Sequence, residues 1–361
     1  ELGLPAGILE SQDYYGDFPK TPSTSYLRAF ELEVATTLNK PDAVFMPSGV
    51  MAQSIALLIN AGARPDAEAR FACHATSHLL VHEKDSYEHL LKQKAMTVGD
   101  AASPIAFADV EKALKGGEGE RPHTLILEHP HREIGGQLTP HADLSRIAEL
   151  CSSLNVAFHL DGARIWEASG AHSGSHTVAD IAGHFDSCYV SFYKGVGGMT
   201  GAMLLGGTEF CEEARVWLRR FGGNLYTLAP YAVSCWAGFR RKVKSPEGLT
   251  FTEKADKLRS IVGLLSEDED VSKVLEFVPK VPEVCMVHCV INAPASACLR
   301  AADETATATD GVRVFSRLRG DYKGDAGRQY FEWNMGDANG TVEEGVFLKA
   351  WKIFAAKVNE A

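Results

Sequence analysis

The chain has 361 residues, 45% of them hydrophobic and 23% charged, with a formal net charge of −11 at pH 7. That length fits a large domain with a smaller satellite, not one small core. The acidic balance argues against a nucleic-acid binder, which needs a basic stripe against phosphates, and there is neither an apolar run long enough to span a bilayer nor a signal-peptide pattern.

The first residue is Glu1 and not Met, so a few native residues are expected to precede it. Residues 1–20 are rich in Gly, Pro and Tyr and read as an extended arm. Residues 26–38 form a helix, with Leu27, Phe30, Val34 and Leu38 on one face and an N-cap among Ser23 to Ser25. Ala43 to Met46 is a short strand. It is followed by Pro47-Ser48-Gly49-Val50-Met51-Ala52-Gln53, which leads into an apolar helix ending near Asn60. A glycine turn feeding a helix leaves free backbone N–H groups and a positive dipole end, where phosphate binds well. The same pattern also suits a plain strand-to-helix turn.

Phe71 to Ala75 reads as a strand, with His78 in the next turn. Cys73, His74, His78 and His82 are spaced so that they could line one helical face and hold zinc. No further cysteine follows nearby, so packing plus one cofactor contact is the simpler reading. Residues 84–122 read as peripheral helical segments with a surface turn, Gly116 to Gly119. Thr124 to Glu128 is a buried strand, followed by His129, His131 and Gly135-Gly136. Leu144, Ile147, Ala148, Cys151 and Leu154 give a helix face, and Ala157 to Asp161 the next strand. Ser187 to Phe192 and Ala202 to Leu205 are two more. Strands alternating with helical stretches argue for a mostly parallel sheet with helices on both faces and right-handed crossovers.

Phe210, Ala214, Trp217, Leu218 and Phe221 line a further helix, and Arg241 to Thr250 turns to charge and turn-forming residues. We therefore place a large domain at 21–243 and a small C-terminal α+β domain at 244–361. In the latter, Val284 to Ile291 and Gln329 to Met335 read as strands. Glu343 to Val358 reads as a helix with Val346, Phe347, Ala350, Trp351 and Phe354 inward, and the acidic run Glu267 to Asp270 as a solvated face. Eight cysteines without a Cys-x-x-Cys pair imply a reducing, cytoplasmic setting.

Two strand ends carry chemistry. Lys194 follows the run Cys188-Tyr189-Val190 and precedes a glycine cluster. Burial disfavours an ammonium, which makes a neutral amine accessible near pH 7. Such an amine suits a Schiff base with an aldehyde cofactor. Asp161 ends the strand before it in sequence, and pyridoxal phosphate needs an acid partner for its ring nitrogen. Ligands in such sheets sit outside the strands' carboxyl ends, where His131, Asp161 and Lys194 all fall.

The segment His159-Leu160-Asp161-Gly162-Ala163-Arg164, followed by Ser191-Phe192-Tyr193-Lys194-Gly195, resembles the low-specificity threonine aldolases. These belong to the β-eliminating lyase group of fold-type I enzymes, which use pyridoxal 5′-phosphate. The likeness runs from about Tyr14 to the C-terminal region and is strongest from Tyr15 to Gly207. It implies that Lys194 holds the cofactor, that Asp161 contacts the ring nitrogen and that Arg164 contacts the phenolic oxygen. Ser48, Gly49 and Val50 would form the phosphate loop, with Val50 where the family has threonine. His78, spaced from Glu83 as in the family, would stack on the ring. His131 would face the substrate hydroxyl, and His129 replaces an asparagine.

Tyr14-Tyr15-Gly16-Asp17-Phe18-Pro19 resembles a family segment near the active site, so Tyr15 is a candidate substrate contact. Arg219 or Arg220 would reach a neighbouring subunit's phosphate, with Tyr226 where the family has arginine. Arg328 would bind the substrate carboxylate, with Arg313, Arg317 and Arg319 as alternatives. The resemblance further implies a homodimer or homotetramer with shared active sites, and retro-aldol cleavage of a threonine-like β-hydroxy amino acid to glycine and an aldehyde. Lysine-tethered pyridoxal chemistry also serves β-elimination and transaldolase-type reactions, and a non-enzymatic metal- or partner-binding protein built on His74, His78 and His82 stands as a third reading.

Overall fold

The computed structural model describes residues 25–62, 68–117, 121–169, 176–225 and 228–360. Tyr15, with the rest of the 1–20 arm, and Tyr226 lie outside the described residues. The chain forms two compact units. One comprises residues up to His131, Leu138–Ser169 and the stretch ending at Glu247; the other comprises Arg132–Gln137 and the chain from Gly248 on.

The first unit is built on a seven-stranded sheet. Its strands are β1 (Asp42–Met46), β2 (Arg70–His74), β3 (Lys94–Val98), β4 (Thr124–Glu128), β5 (Ala157–Gly162), β6 (Ser187–Ser191) and β7 (Ala202–Gly206), in the order β1-β7-β6-β5-β4-β2-β3. The pairs β3–β2, β2–β4, β4–β5 and β5–β6 are parallel. β7 runs antiparallel to both its neighbours, β6 and β1. The expectation of parallel alternation up to residue 205 therefore stops at β6. Only residues 192–201 separate β6 from β7, too few for the crossover that parallel neighbours require.

β1, β4, β6 and β7 are buried along their whole length, as expected for strands covered on both faces. β3, at the sheet edge, is only partly buried. The peripheral stretch 84–122 thus contains a strand in addition to the helix Phe107–Leu114.

The first helix, Tyr26–Thr37, is capped by the Ser25 side chain, which accepts from the Arg28 N–H at 3.1 Å. Phe30 from its buried face enters an aromatic cluster, with ring centroids 5.1 Å from Phe192, 5.6 Å from Trp236 and 5.9 Å from Phe45. A second core joins the helices Gly49–Gly62 and Thr208–Arg220 to β1, β6 and β7 through Ile55, Ala56, Val44, Leu204, Ala214 and Leu218.

The second unit holds an antiparallel sheet of β8 (Leu275–Val278), β9 (Met286–Ile291), β10 (Gly320–Tyr322) and β11 (Asp325–Asn334), ordered β10-β11-β9-β8. The helices Phe251–Glu267, Ala295–Ala308 and Glu344–Asn359 accompany it. Trp351 and Phe354 are fully buried, and Trp351 stacks on Phe331 at 5.9 Å. Val346, expected inward, is 38% exposed; it lies in the first turn of its helix. Arg328, expected just before a strand, sits inside β11.

Truncating the fully buried Phe30 removes ring contacts on several sides, and such losses cost about 3–5 kcal/mol. We expect Phe30→Ala to lower the urea midpoint at an unchanged m value, read by circular dichroism. A midpoint equal to wild type would show that the cluster does not support the fold.

Candidate active site

β4, β5 and β6 are parallel neighbours, so their carboxyl ends open on one edge of the sheet. β1 runs the same way, because both it and β6 oppose β7. Four chain segments therefore leave the sheet together. Ser48 and Gly49 follow β1, Glu128 ends β4, Asp161 lies near the end of β5, and Lys194 follows β6. Glu128 and Asp161 are register partners.

Between them lies a cavity lined by Gly49, Val50, Gln53, Asp161, Arg164 and Lys194 among others. Glu128, Tyr189, Tyr193 and His78 with Glu83 complete its polar wall.

Lys194 is placed by a tight reversal. Gly197 donates its N–H to the Lys194 carbonyl at 3.0 Å, and Phe192 donates to the Gly201 carbonyl at 3.1 Å. Gly201 has φ +104°, and a β-carbon there would sit 2.6 Å from the Phe45 ring, so only glycine fits. Desolvation, reinforced by the nearby Arg164 charge, lowers the Lys194 ammonium to about 8, against the opposing pull of Asp161, Glu128 and Glu167.

Asp161 is 2% exposed. Burial and the Glu128 charge push its carboxyl up; Lys194, the Ala163 N–H and His78 oppose them. Its Oδ1 accepts from the Ala163 N–H at 3.1 Å and its Oδ2 from the Gln53 side-chain amide at 2.7 Å. The Gln53 Oε1 lies 2.8 Å from His159 Nε2, and His159 Nδ1 lies 2.7 Å from the Ser187 hydroxyl. His159 is fully buried, and desolvation holds its pKa down at about 3. It is therefore a neutral imidazole at physiological pH.

The helix Gly49–Gly62 points its N-terminus at this cavity. The Ser48 hydroxyl is used as its cap, accepting from the Met51 N–H at 3.3 Å, while Gly49 and Val50 line the cavity. His78 also lines it, with Nδ1 2.9 Å from Glu83 Oε1. That contact raises the His78 pKa, and Asp161 adds to the rise.

The remaining expected residues have partners of their own. His131 is buried and not among the lining residues; its Nε2 is 2.9 Å from the Thr76 hydroxyl, and its ring is 4.4 Å from that of His74. Arg219 and Arg220 are exposed at the end of their helix, Arg220 over Trp217 at 4.5 Å. In the second unit, Arg328 donates to Glu276 at 2.7 Å and to Asn292 at 3.0 Å. Cys73 and His74 are on β2 and not on a helix with His78, and no group of three metal-ligating side chains assembles among the described residues.

Gln53, Glu128, Tyr189 and Tyr193 were not singled out from the sequence. Gln53 carried one usable signal, an amide one helical turn after Gly49 on a largely apolar helix.

The chain matches the family model for beta-eliminating lyases over residues 13–312, and it belongs to that family. The aldolase vrtJ of Penicillium aethiopicum is 31% identical over 217 residues, which are 58% of this chain and 52% of that protein. The low-specificity L-threonine aldolase of Candida albicans is 26% identical over 215 residues, 58% of this chain and 56% of that one. The chain thus spans about half the length of these curated relatives. A solved structure from Listeria monocytogenes, provisionally named an L-allo-threonine aldolase, superposes with a TM-score of 0.82 at 30% identity and covers 98% of this chain and 93% of that one. The architecture is that of fold-type I. No described helix is long and apolar enough to cross a membrane.

The donor set fits the cofactor of fold-type I: a half-buried amine of lowered pKa, a buried carboxylate, a guanidinium and a helix N-terminus meet at one cavity. The lowered pKa leaves more of Lys194 as the neutral amine near pH 7 than an ordinary lysine has. Reductive methylation with formaldehyde, followed by mass spectrometry, is expected to reach half its plateau rate near pH 8 at Lys194. Ordinary lysines need about pH 10. A Lys194 profile matching theirs would refute the lowered pKa.

His159 makes a second prediction. The unfolded chain binds a proton at this imidazole near pH 6.5, but the folded chain only near pH 3. The resulting stability is complete above pH 6.5 and is lost as pH falls, by about 2 kcal/mol at pH 5. Urea titrations at pH 8 and pH 5 should show that difference in wild type and not in His159→Gln; equal differences would refute it.

Proposed function

We propose that the chain is a pyridoxal-phosphate-dependent aldehyde-lyase that cleaves a threonine-like β-hydroxy-α-amino acid to glycine and an aldehyde. The observation that carries the reading is the meeting of Lys194, Asp161, Arg164 and the Gly49–Gly62 N-terminus around one cavity. The aldolase names of the family relatives support the reaction type.

When bound, pyridoxal phosphate supplies an electron sink for the bond that breaks. Lys194 would tether its aldehyde, and the lowered ammonium pKa makes the required neutral amine available. Asp161 would hold a proton on the ring nitrogen, and Arg164 would keep the phenolic oxygen ionised. The amides of Gly49 and Val50, at the positive end of their helix, would receive the phosphate.

His78 is the candidate base for the β-hydroxyl proton: it lines the cavity, and Glu83 raises its basicity. Removing that proton lets the Cα–Cβ bond break and the aldehyde leave; a proton delivered to Cα then yields glycine. His131 would assist through water or through Thr76. For Arg328 to bind a substrate carboxylate, its contacts with Glu276 and Asn292 would have to be replaced.

The homo-oligomer expectation is kept, supported by apolar surface at the cavity: Val50 and Tyr193 are 41% and 42% exposed. The reaction belongs in a reducing, cytoplasmic compartment, where buried thiols stay reduced.

A second reading, β-elimination or a transaldolase-type reaction, draws on one observation: His131, the expected partner of the β-hydroxyl, does not line the cavity. Purified protein supplied with pyridoxal phosphate and threonine is expected to release glycine and acetaldehyde in equal amounts. Lys194→Ala should lose both this activity and the visible absorbance of the bound cofactor. Pyruvate and ammonia from serine, with no glycine from threonine, would establish elimination instead.

A further inference from the structure

We propose that Gln53 is a positioning residue for Asp161, and that His159 and Ser187 behind it hold its amide with the N–H toward the carboxylate. The inference rests on the cofactor reading above.

The geometry allows one assignment of protons when Asp161 is ionised. A carboxylate oxygen can only accept, so the group 2.7 Å from Oδ2 must be the Gln53 NH₂. The Gln53 Oε1 then faces His159 and can only accept, so Nε2 of His159 carries the proton across 2.8 Å. A neutral imidazole has one N–H, so Nδ1 accepts, and the Ser187 hydroxyl donates to it across 2.7 Å. Each donor is thereby matched to an acceptor from β6 through β5 and the helix Gly49–Gly62 back to β5. Gln53, His159, Ser187 and Asp161 are all buried, and His159 and Ser187 do not line the cavity, so a link broken there leaves an unpaired polar group.

The chain of bonds has one fully paired alternative. Reversing the Gln53 amide would set Oε1 against Oδ2, which only a protonated Asp161 tolerates. It would also set an NH₂ against His159 Nε2, forcing the proton to Nδ1 and reversing the Ser187 hydroxyl. With the amide placed as the structure has it, Gln53 donates to Oδ2 and so stabilises the ionised carboxylate, the form able to hold a proton on a ring nitrogen. It does so against the burial and the Glu128 charge that favour the acid. The imidazole remains neutral and does not compete for that proton.

The test compares wild type, Gln53→Met, His159→Leu, His159→Gln and Ser187→Ala. Three quantities are read: the dissociation constant for pyridoxal phosphate, the pH midpoint of the visible band of the bound cofactor, and kcat against KM for threonine. A lost hydrogen bond to a charged group corresponds to about tenfold or more. Gln53→Met is expected to weaken cofactor binding about tenfold, move the midpoint and lower kcat with KM little changed. His159→Leu should move the same readouts in the same direction, and His159→Gln, which keeps an N–H for Gln53, should restore them. Ser187→Ala is the mildest lesion and covers the case in which the larger substitutions do not fold; it should shift the midpoint in the same direction.

If the variants change only the melting temperature, leaving the dissociation constant and midpoint within twofold of wild type, the inference is overturned and the network is structural. If wild type itself binds no pyridoxal phosphate, the cofactor reading fails and takes the inference with it. Wild-type binding with unaltered variants sinks the inference alone.

Discussion

A carboxyl group with 2% exposure, Asp161, is the constraint around which the first unit is arranged. Burying Asp161 as an anion is unfavourable unless donors replace water. The fold supplies two: a backbone N–H two residues on, and a side-chain amide from a helix 108 positions away in sequence. It also places a cation, Lys194, near enough to lower the carboxyl pKa and Glu128 near enough to raise it. The balance leaves a carboxylate and an amine that each respond to what enters the cavity between them. Perturbed groups of opposite charge facing one cavity are a common property of catalytic sites.

Topology makes that balance possible. Parallel strands deliver their carboxyl ends to one edge, so residues from β4, β5 and β6 meet without any being near in sequence. The reversal of β7 has a consequence of its own. Since β6 and β7 are joined by a short segment, the backbone after β6 must turn at once, and Lys194 is held in that turn and not on a long mobile loop. The first helix and the aromatic cluster around Phe30 and Phe192 back this turn from within the core. The position of the amine is thus set by packing as well as by hydrogen bonds.

How far the sequence was readable follows from the same physics. The central strands β4, β5 and β6 stand out because burial on both faces demands continuous apolar runs, and the first helix because Leu27, Phe30 and Val34 recur at helical spacing. β3 was hidden because an edge strand tolerates Lys94 and Thr97 among its five residues. Lys194 and Asp161 were legible as charged groups placed next to apolar strands, where they need a reason to exist. Gln53 was not, because a neutral amide in a helix has no such signature; its role comes from a partner that only the fold brings near. Arg328 and His131 show the opposite limit. The family resemblance suggested both as substrate contacts; in the fold Arg328 donates to Glu276 and His131 lies beside Thr76, and spacing along a chain carries no record of such pairings.

The glycine before the apolar helix is the clearest case of one residue with two explanations. Read alone, Gly49 marks a place where backbone approaches a phosphate. In the fold, a β-carbon at Gly49 would lie 2.1 Å from the Tyr189 hydroxyl. Tyr189 is buried, and burial raises its phenol well above the usual value, so it stays a neutral donor at the helix N-terminus. The protein's own packing therefore requires glycine at this position whatever the ligand, and the glycine by itself is not evidence for a phosphate. What distinguishes this turn from any other strand-to-helix connection is its company: the same cavity wall carries Arg164, Asp161 and an amine of lowered pKa. An anionic, aldehyde-bearing cofactor is therefore implied first by Asp161 and Lys194 and only through them by the helix end.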